Sequence, residues 1–269
     1  VRGPGFFVIT LDRGANWTSY NFNQYVSVAG LIDLHFFSPD TGFIVGLTNV
    51  EHTQSRGIVL KTTDGGETWL PVHISSRLGE WAWKINFPSK NVGYVSLQRN
   101  YESPIYFLKT VDNGATWDEM LFMNDYYFIQ GIGFIDENLG WMGGNSSYPT
   151  FVTTDGGHNW SSADFGSRVN RLDFINNNIG FACGETIYKY TSSLGTFVKN
   201  DFSLNEVLIF HFAQFCLQKL SQQGIYKDFY TTTDNKSYVR GKIVTHLYIS
   251  QQISKSQYQN IPCRYATHS

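Results

Sequence analysis

The sequence predicts an all-β protein, a β-propeller of four-stranded antiparallel blades, and two interleaved repeats carry that prediction. The first is an eight-residue box written four times, at Thr10–Trp17, Thr62–Trp69, Thr110–Trp117 and Thr153–Trp160, with the skeleton Thr-x-Asp-x-Gly-x-Thr/Asn-Trp. The second lies between the boxes: a strand, a polar turn, a Gly-aromatic pair and a second strand. It reads Leu31–Phe37 with Gly42-Phe43, Trp83–Phe87 with Gly93-Tyr94, Ile132–Ile135 with Gly140-Trp141, and Leu172–Ile175 with Gly180-Phe181. Each period therefore holds four strands in roughly 40 to 50 residues, the size of a propeller blade. Four short strands cannot bury both faces alone, and stacking around an axis buries them against neighbours. A two-sheet sandwich also uses short strands, but it has no need of the same turn at the same place in every unit.

In chain order, residues 1–22 hold only strands C and D of an earlier blade, with Phe6-Phe7-Val8-Ile9 entering the first box. Residues 31–71, 82–121, 130–163 and 170–202 are four recognisable blades of an incomplete ring, their strands lettered A to D from the axis outward. The last blade has a decayed box: Lys189–Phe197 lines up with Lys61–Trp69 without the Asp, Gly and Trp, leaving Phe197 to fill the place of the indole.

The box is a hairpin turn with local physics. Asp12, Asp64, Asp112 and Asp155 are expected to close it by accepting hydrogen bonds from backbone N–H groups a residue or two further on. Gly14, Gly66, Gly114 and Gly157 take the positive-φ position that a Cβ resists. Trp17, Trp69, Trp117 and Trp160 then cover the turn and reach a neighbouring hydrophobic layer. A buried indole removes about 150 to 250 Å² from water. At 25 cal/mol/Å² that is an upper estimate of roughly 4 to 6 kcal/mol. The Asp hydrogen bonds contribute less, so packing dominates the motif. Asn16-Trp17-Thr18 and Asn159-Trp160-Ser161 match the glycosylation triplet but fall inside boxes and read as turn chemistry.

After about Asn205 the composition changes. All seven Trp precede this point, Gly becomes scarce and Gln common. Glu206–Leu220 has uneven apolar spacing compatible with a helix. The expected division is thus a propeller over 1–202 and an atypical segment over 203–269. A closing blade that supplies strands A and B to residues 1–22 is one reading of that segment. An added, poorly ordered helical piece, or a translated tail that is not the natural continuation, is preferred.

The 269 residues carry a formal net charge of −2, so no global basic field points to nucleic acid or to an anionic membrane. Cys183, Cys216 and Cys263 are odd in number and widely spaced, suggesting neither a zinc site nor a disulfide framework. No apolar run approaches a membrane span, no His cluster has metal spacing, and no cofactor motif appears. The chain opens on Val1 with no visible signal peptide, as expected of a fragment or of a chain whose leader has been removed.

The box resembles the Asp-box, or bacterial neuraminidase repeat, of sialidases, large glucan-cleaving glycoside hydrolases and sortilin-type receptors. Combined with Phe134–Gly143 and Phe174–Gly184, it looks most like the photosystem II stability and assembly factor family, which includes secreted bacterial propellers. The resemblance covers 1–202. It implies that the box Asp residues are structural and stand away from any catalytic group.

Hairpin connectivity puts the A–B and C–D turns at one end of the ring and the B–C and D–A loops at the other. The second end varies in sequence, and binding residues are sought there. Its candidates are Arg56, Arg77, Trp81, Arg99, Tyr101, Glu102, Tyr126, Tyr127 and Arg168, a mixture of guanidinium and aromatic groups suited to a protein or glycan partner. A sialidase site would need three converging Arg and a Tyr–Glu pair, roles that Arg56, Arg77, Arg99 and Tyr101-Glu102 could fill only if forced. The Arg-Ile-Pro type signature is absent. A two-carboxylate glycosidase would draw on Glu51, Glu80 or Glu102. The expected function is therefore a non-enzymatic scaffold for a protein partner, such as a membrane protein complex, in an extracytoplasmic compartment: secreted, periplasmic or thylakoid-lumenal. A carbohydrate-active or glycan-binding propeller is the alternative. Neither reading involves a metal, a cofactor, nucleic acid or direct membrane insertion.

Overall fold

The computed structural model describes residues 6–10, 12–21, 28–145, 148–199, 228–231 and 237–240. The chain divides into two compact units, one of Val1–Val8 with Ser19–Asn200 and one of Ile9–Thr18 with Asp201–Ser269. The strands β1 (Phe6–Ile9) and β2 (Thr18–Asn21) form a two-stranded sheet, as expected for the partial blade.

Four four-stranded antiparallel sheets follow as propeller blades, each in simple sequence order. Blade 1 holds β3 (Gly30–Phe36), β4 (Gly42–Leu47), β5 (Gly57–Thr62) and β6 (Leu70–Ile74). Blade 2 holds β7 (Glu80–Asn86), β8 (Gly93–Arg99), β9 (Ile105–Thr110) and β10 (Asp118–Met123). Blade 3 holds β11 (Ile129–Phe134), β12 (Gly140–Gly144), β13 (Pro149–Thr153) and β14 (Ser161–Ser167). Blade 4 holds β15 (Arg171–Asn176), β16 (Ile179–Cys183), β17 (Ile187–Thr191) and β18 (Thr196–Lys199). A separate hairpin pairs β19 (Asp228–Thr231) with β20 (Ser237–Arg240). The helix expected over Glu206–Leu220 lies outside the described residues, as does the rest of 203–269 apart from this hairpin.

The Gly-aromatic pairs are obligatory for a steric reason. A Cβ on Gly93 would stand 2.3 Å from the Phe87 ring, and one on Gly140 would meet Phe134 at the same distance. In both blades the inner-strand phenyl lies flat on the bare backbone of its neighbour strand. The aromatic that follows the Gly reaches toward the next blade. Phe43 meets the Trp117 indole edge-on at 6.1 Å, and Trp141 meets Phe197 at 5.0 Å. Phe197 is 2 % exposed, so it does occupy the indole's place in the decayed box. That turn takes another form: Leu194 and Gly195 N–H both donate to the Thr191 carbonyl.

The intact boxes share one hydrogen-bond scheme, and it corrects the expected one. The Asp carboxylate accepts from the backbone N–H four residues on, not one or two: Thr68 to Asp64, Thr116 to Asp112 and Asn159 to Asp155, each at 2.9 Å. The first Thr closes the inner turn. Its hydroxyl donates to the Asp (Thr110 to Asp112, 2.8 Å) and accepts from the glycine N–H (Gly114 to Thr110, 2.9 Å). The residue before each box glycine is also left-handed, as at Arg13, Gly65, Asn113 and Gly156. Trp69 and Trp160 indole N–H groups donate to the carbonyls of Gly66 and Gly157 at 3.1 Å. Trp69 and Trp117 are buried, Trp160 is half-buried, and Trp17 is 61 % exposed, contrary to the layer expected over it. Asn159 spends its side-chain amide on Asp155, as turn chemistry requires.

Candidate functional site

The two ends of the blades differ as connectivity demands. At the box end, each C–D turn is tied to the A–B turn of its own blade by one backbone bond: Gly65 to Asp40, Asn113 to Asn91, Gly156 to Asn138 and Ser192 to Asn178, at 2.8 to 3.0 Å. Lysines link successive blades there. Lys61 Nζ donates to Asn113 O at 2.7 Å, and Lys109 Nζ to Gly156 O at 2.9 Å.

At the loop-rich end the candidate side chains fall into two groups. The first is committed to the protein itself. Arg56 donates to the carbonyls of Ser75 and Ser76. Arg77 pairs with Glu80 at 2.7 Å and Glu119 at 2.8 Å, and its guanidinium stacks over Tyr106 at 3.6 Å. Arg99 pairs with Glu102 at 2.6 Å and also donates to the Ser103 and Pro104 carbonyls. Tyr127 is a correction: it is 2 % exposed, and its hydroxyl donates to Pro149 O at 2.7 Å, because its ring fills the blade 3 core beside Phe122 and Phe151. Glu80 is wholly buried, and that burial raises its pKa against the lowering influence of Ser75 and Arg77.

In the second group Tyr101 and Arg168 are exposed, while Trp81, Tyr126 and Tyr148 are half-buried. Tyr101 is 91 % exposed and sits at φ +60°, a conformation a bulky residue adopts only when its surroundings hold it there. Its ring stacks on Tyr126 at 6.2 Å and 11°, and Tyr126 meets Tyr148 edge-on at 6.0 Å. Trp81 stacks parallel to Trp83 at 6.2 Å, with His52 edge-on against it at 4.6 Å. Burial lowers the His52 pKa, and Glu102 and Arg99 are near enough to act on the ring. Arg168, also at positive φ, pairs loosely with Glu185 at 3.6 Å with both side chains exposed.

Sequence reasoning passed over the inner strands. Asp33, Lys84 and Arg171 share one register position, three residues before the inner-strand Phe of their blades, and line a pocket on the axis. Charge at this position in three of the four inner strands, with Gly131 in the other, was the available signal. Among the described residues no group of His, Cys, Asp and Glu is placed to hold a metal ion, and no helix is long and apolar enough to cross a membrane.

These features define a β-propeller with one tight end and one loop-rich end. Among solved structures it is similar to a glucose dehydrogenase, with 8 % identity over 88 % of this chain and 87 % of that one and a TM-score of 0.51. It is also similar to YCF48 bound to D1 peptide (14 % identity, 91 % of this chain, 68 % of that chain, TM-score 0.47). A third is the Hadza microbial sialidase Hz136 (16 % identity, 71 % of this chain, TM-score 0.48), of which the chain spans 44 %. At such identities the shared property is the fold. The family model described as McrBC 5-methylcytosine restriction system component matches residues 182–269, the C-terminal third, beginning within β16. No curated protein matches the chain.

Proposed function

We propose that the propeller is a non-enzymatic scaffold that binds a protein partner through its loop-rich end. The observation that carries this reading is the aromatic group of Tyr101 on half-buried Tyr126 and Tyr148, with Tyr101 exposed in a left-handed conformation. Rigid rings with few rotors give contact energy at small entropic cost, the property of interface anchors. An enzymatic reading has less support. Arg56, Arg77 and Arg99 are each occupied by intrachain acceptors and so do not converge as a free cluster on a substrate carboxylate. Of the acidic candidates, Glu80 and Glu102 are already paired with Arg77 and Arg99.

Within this reading the resemblance of the boxes favours a role in assembling or stabilising a membrane protein complex such as photosystem II, or that of a secreted bacterial propeller with another partner. Both imply an extracytoplasmic location. Residues 203–269 are then a segment apart from the blades. The test pairs binding with turnover. Tyr101→Ala combined with Tyr126→Ala is expected to weaken binding to solubilised photosystem II, or to another purified membrane complex, at least tenfold while the melting temperature stays within about 2 °C of the parent. Hydrolysis of sialic-acid or glucan substrates that vanishes in Glu51→Gln or Glu102→Gln would instead establish the carbohydrate-active alternative.

A further inference from the structure

A second site is built into the hub, remote in kind from the aromatic surface. The inner strands run from the loop-rich end to the box end, and from their middle onward they enclose a pocket of about 230 Å³ bordered by Asp33, His35, Lys84, Asn86, Arg171 and Asp173. Its side chains divide into spent and unspent groups. Asp33 uses both oxygens, accepting from Ile85 N–H at 3.2 Å and from Arg171 Nη1 at 3.0 Å. Asn86 accepts from Phe134 N–H at 2.8 Å.

The unspent groups are of both signs. The Lys84 ammonium and the Asp173 carboxylate make no hydrogen bond or ion pair among the described residues. Arg171 gives Asp33 one nitrogen and remains half exposed, so the rest of its guanidinium fork is free to donate. His35, packed against Phe37 and Phe87, also borders the pocket.

Across the lining, the cations Lys84 and Arg171 balance the anions Asp33 and Asp173. A simple anion entering this pocket meets the uncompensated carboxylate of Asp173, and a simple cation meets Lys84 and Arg171. A molecule that carries both charges offers a partner to each unspent group, exposed Asp173 and half-buried Lys84. We propose that the axial pocket binds a small zwitterion of the free α-amino acid class, its carboxylate on Lys84 and the outer edge of Arg171 and its ammonium on Asp173. The pocket sits at the box end, so this site is independent of the partner surface and survives or fails separately from it.

Isothermal titration of the full chain with L-alanine, acetate and methylammonium chloride tests the assignment. L-Alanine is expected to bind saturably and at least tenfold more tightly than acetate or methylammonium. Lys84→Met and Asp173→Asn are each expected to weaken it at least tenfold. Both side chains are unpartnered, so both variants should fold, and circular dichroism melts check this directly. Should one variant fail to fold, chemical-shift changes on L-alanine addition at Ile85 and Leu172 amides in the parent report the same site. Acetate binding as well as L-alanine would overturn the proposal, as would no saturable L-alanine binding, or binding indifferent to both folded variants.

Discussion

Threonine, not aspartate alone, holds the innermost ring of each box. Thr62, Thr110 and Thr153 are 1 to 2 % exposed, and their hydroxyls bridge the carboxylate to the glycine N–H inside the turn. The Asp side chains lie at the surface. Hydrogen bonds from Thr68 and Thr116 hold the pKa values of Asp64 and Asp112 down at about 2. Solvent can replace much of what Asp64 supplies, whereas nothing replaces the indole of Trp69. Trp69→Ala is therefore expected to cost about 3 to 5 kcal/mol and to lower the melting temperature more than Asp64→Ala does. Equal losses in paired thermal melts would contradict the packing account. Thr110→Val keeps the shape but orphans a buried N–H, and is expected to destabilise by about 1 to 3 kcal/mol in urea titrations. The exposed counterpart Thr116→Val should cost less. The skeleton of the box could be read from the chain, but the division of labour between Thr and Asp could not. Which oxygen reaches which N–H depends on two successive left-handed residues, and only one of these was evident as the shared Gly.

At the scale of the blade, the bare Cα of the Gly-aromatic pair and the lysine ahead of the box are the coupling devices. Gly93→Ala would drive a methyl into the Phe87 ring, which is itself packed by Phe43 and Trp117. Overpacking of this kind is expected to cost about 1 to 3 kcal/mol, measured by chemical denaturation. Lys61 and Lys109 each stand one residue before a box and bond to the box of the following blade. Their counterpart in blade 3 is Val152, and the blade that follows it has the decayed box. The spacing of these residues was visible in the sequence, yet their reach was not, because it joins residues about fifty positions apart.

For the propeller as a whole, pH acts through buried imidazoles. Burial holds the pKa values of His35, His52 and His73 below the ordinary value of 6.5. A base whose folded pKa is depressed binds protons more readily when unfolded. Stability contributed above pH 6.5 is therefore lost as pH falls through that value toward the folded ones. Glu80 opposes this. Its raised pKa lets the folded state take a proton first, so its contribution is present in acid and is lost as pH rises through the folded value. Urea titrations between pH 7.5 and 5.5 are expected to show stability falling with acidification.

The sequence by itself determined the blades, their order and their boundaries to within a few residues. Those features rest on local turns and on alternation along strands, and a repeat writes both into the chain several times. Only the tertiary structure decided which side chains remain available. Arg56, Arg77, Arg99 and Tyr127 read as loop residues, yet they turned inward to partners brought near by sheet pairing and blade packing. Asp33 and Arg171, 138 positions apart, meet only because strands wrapped about a common axis bring them together. Whether a charge is spent depends on its neighbours in space, and four strands around a hub choose those neighbours without regard to distance along the chain.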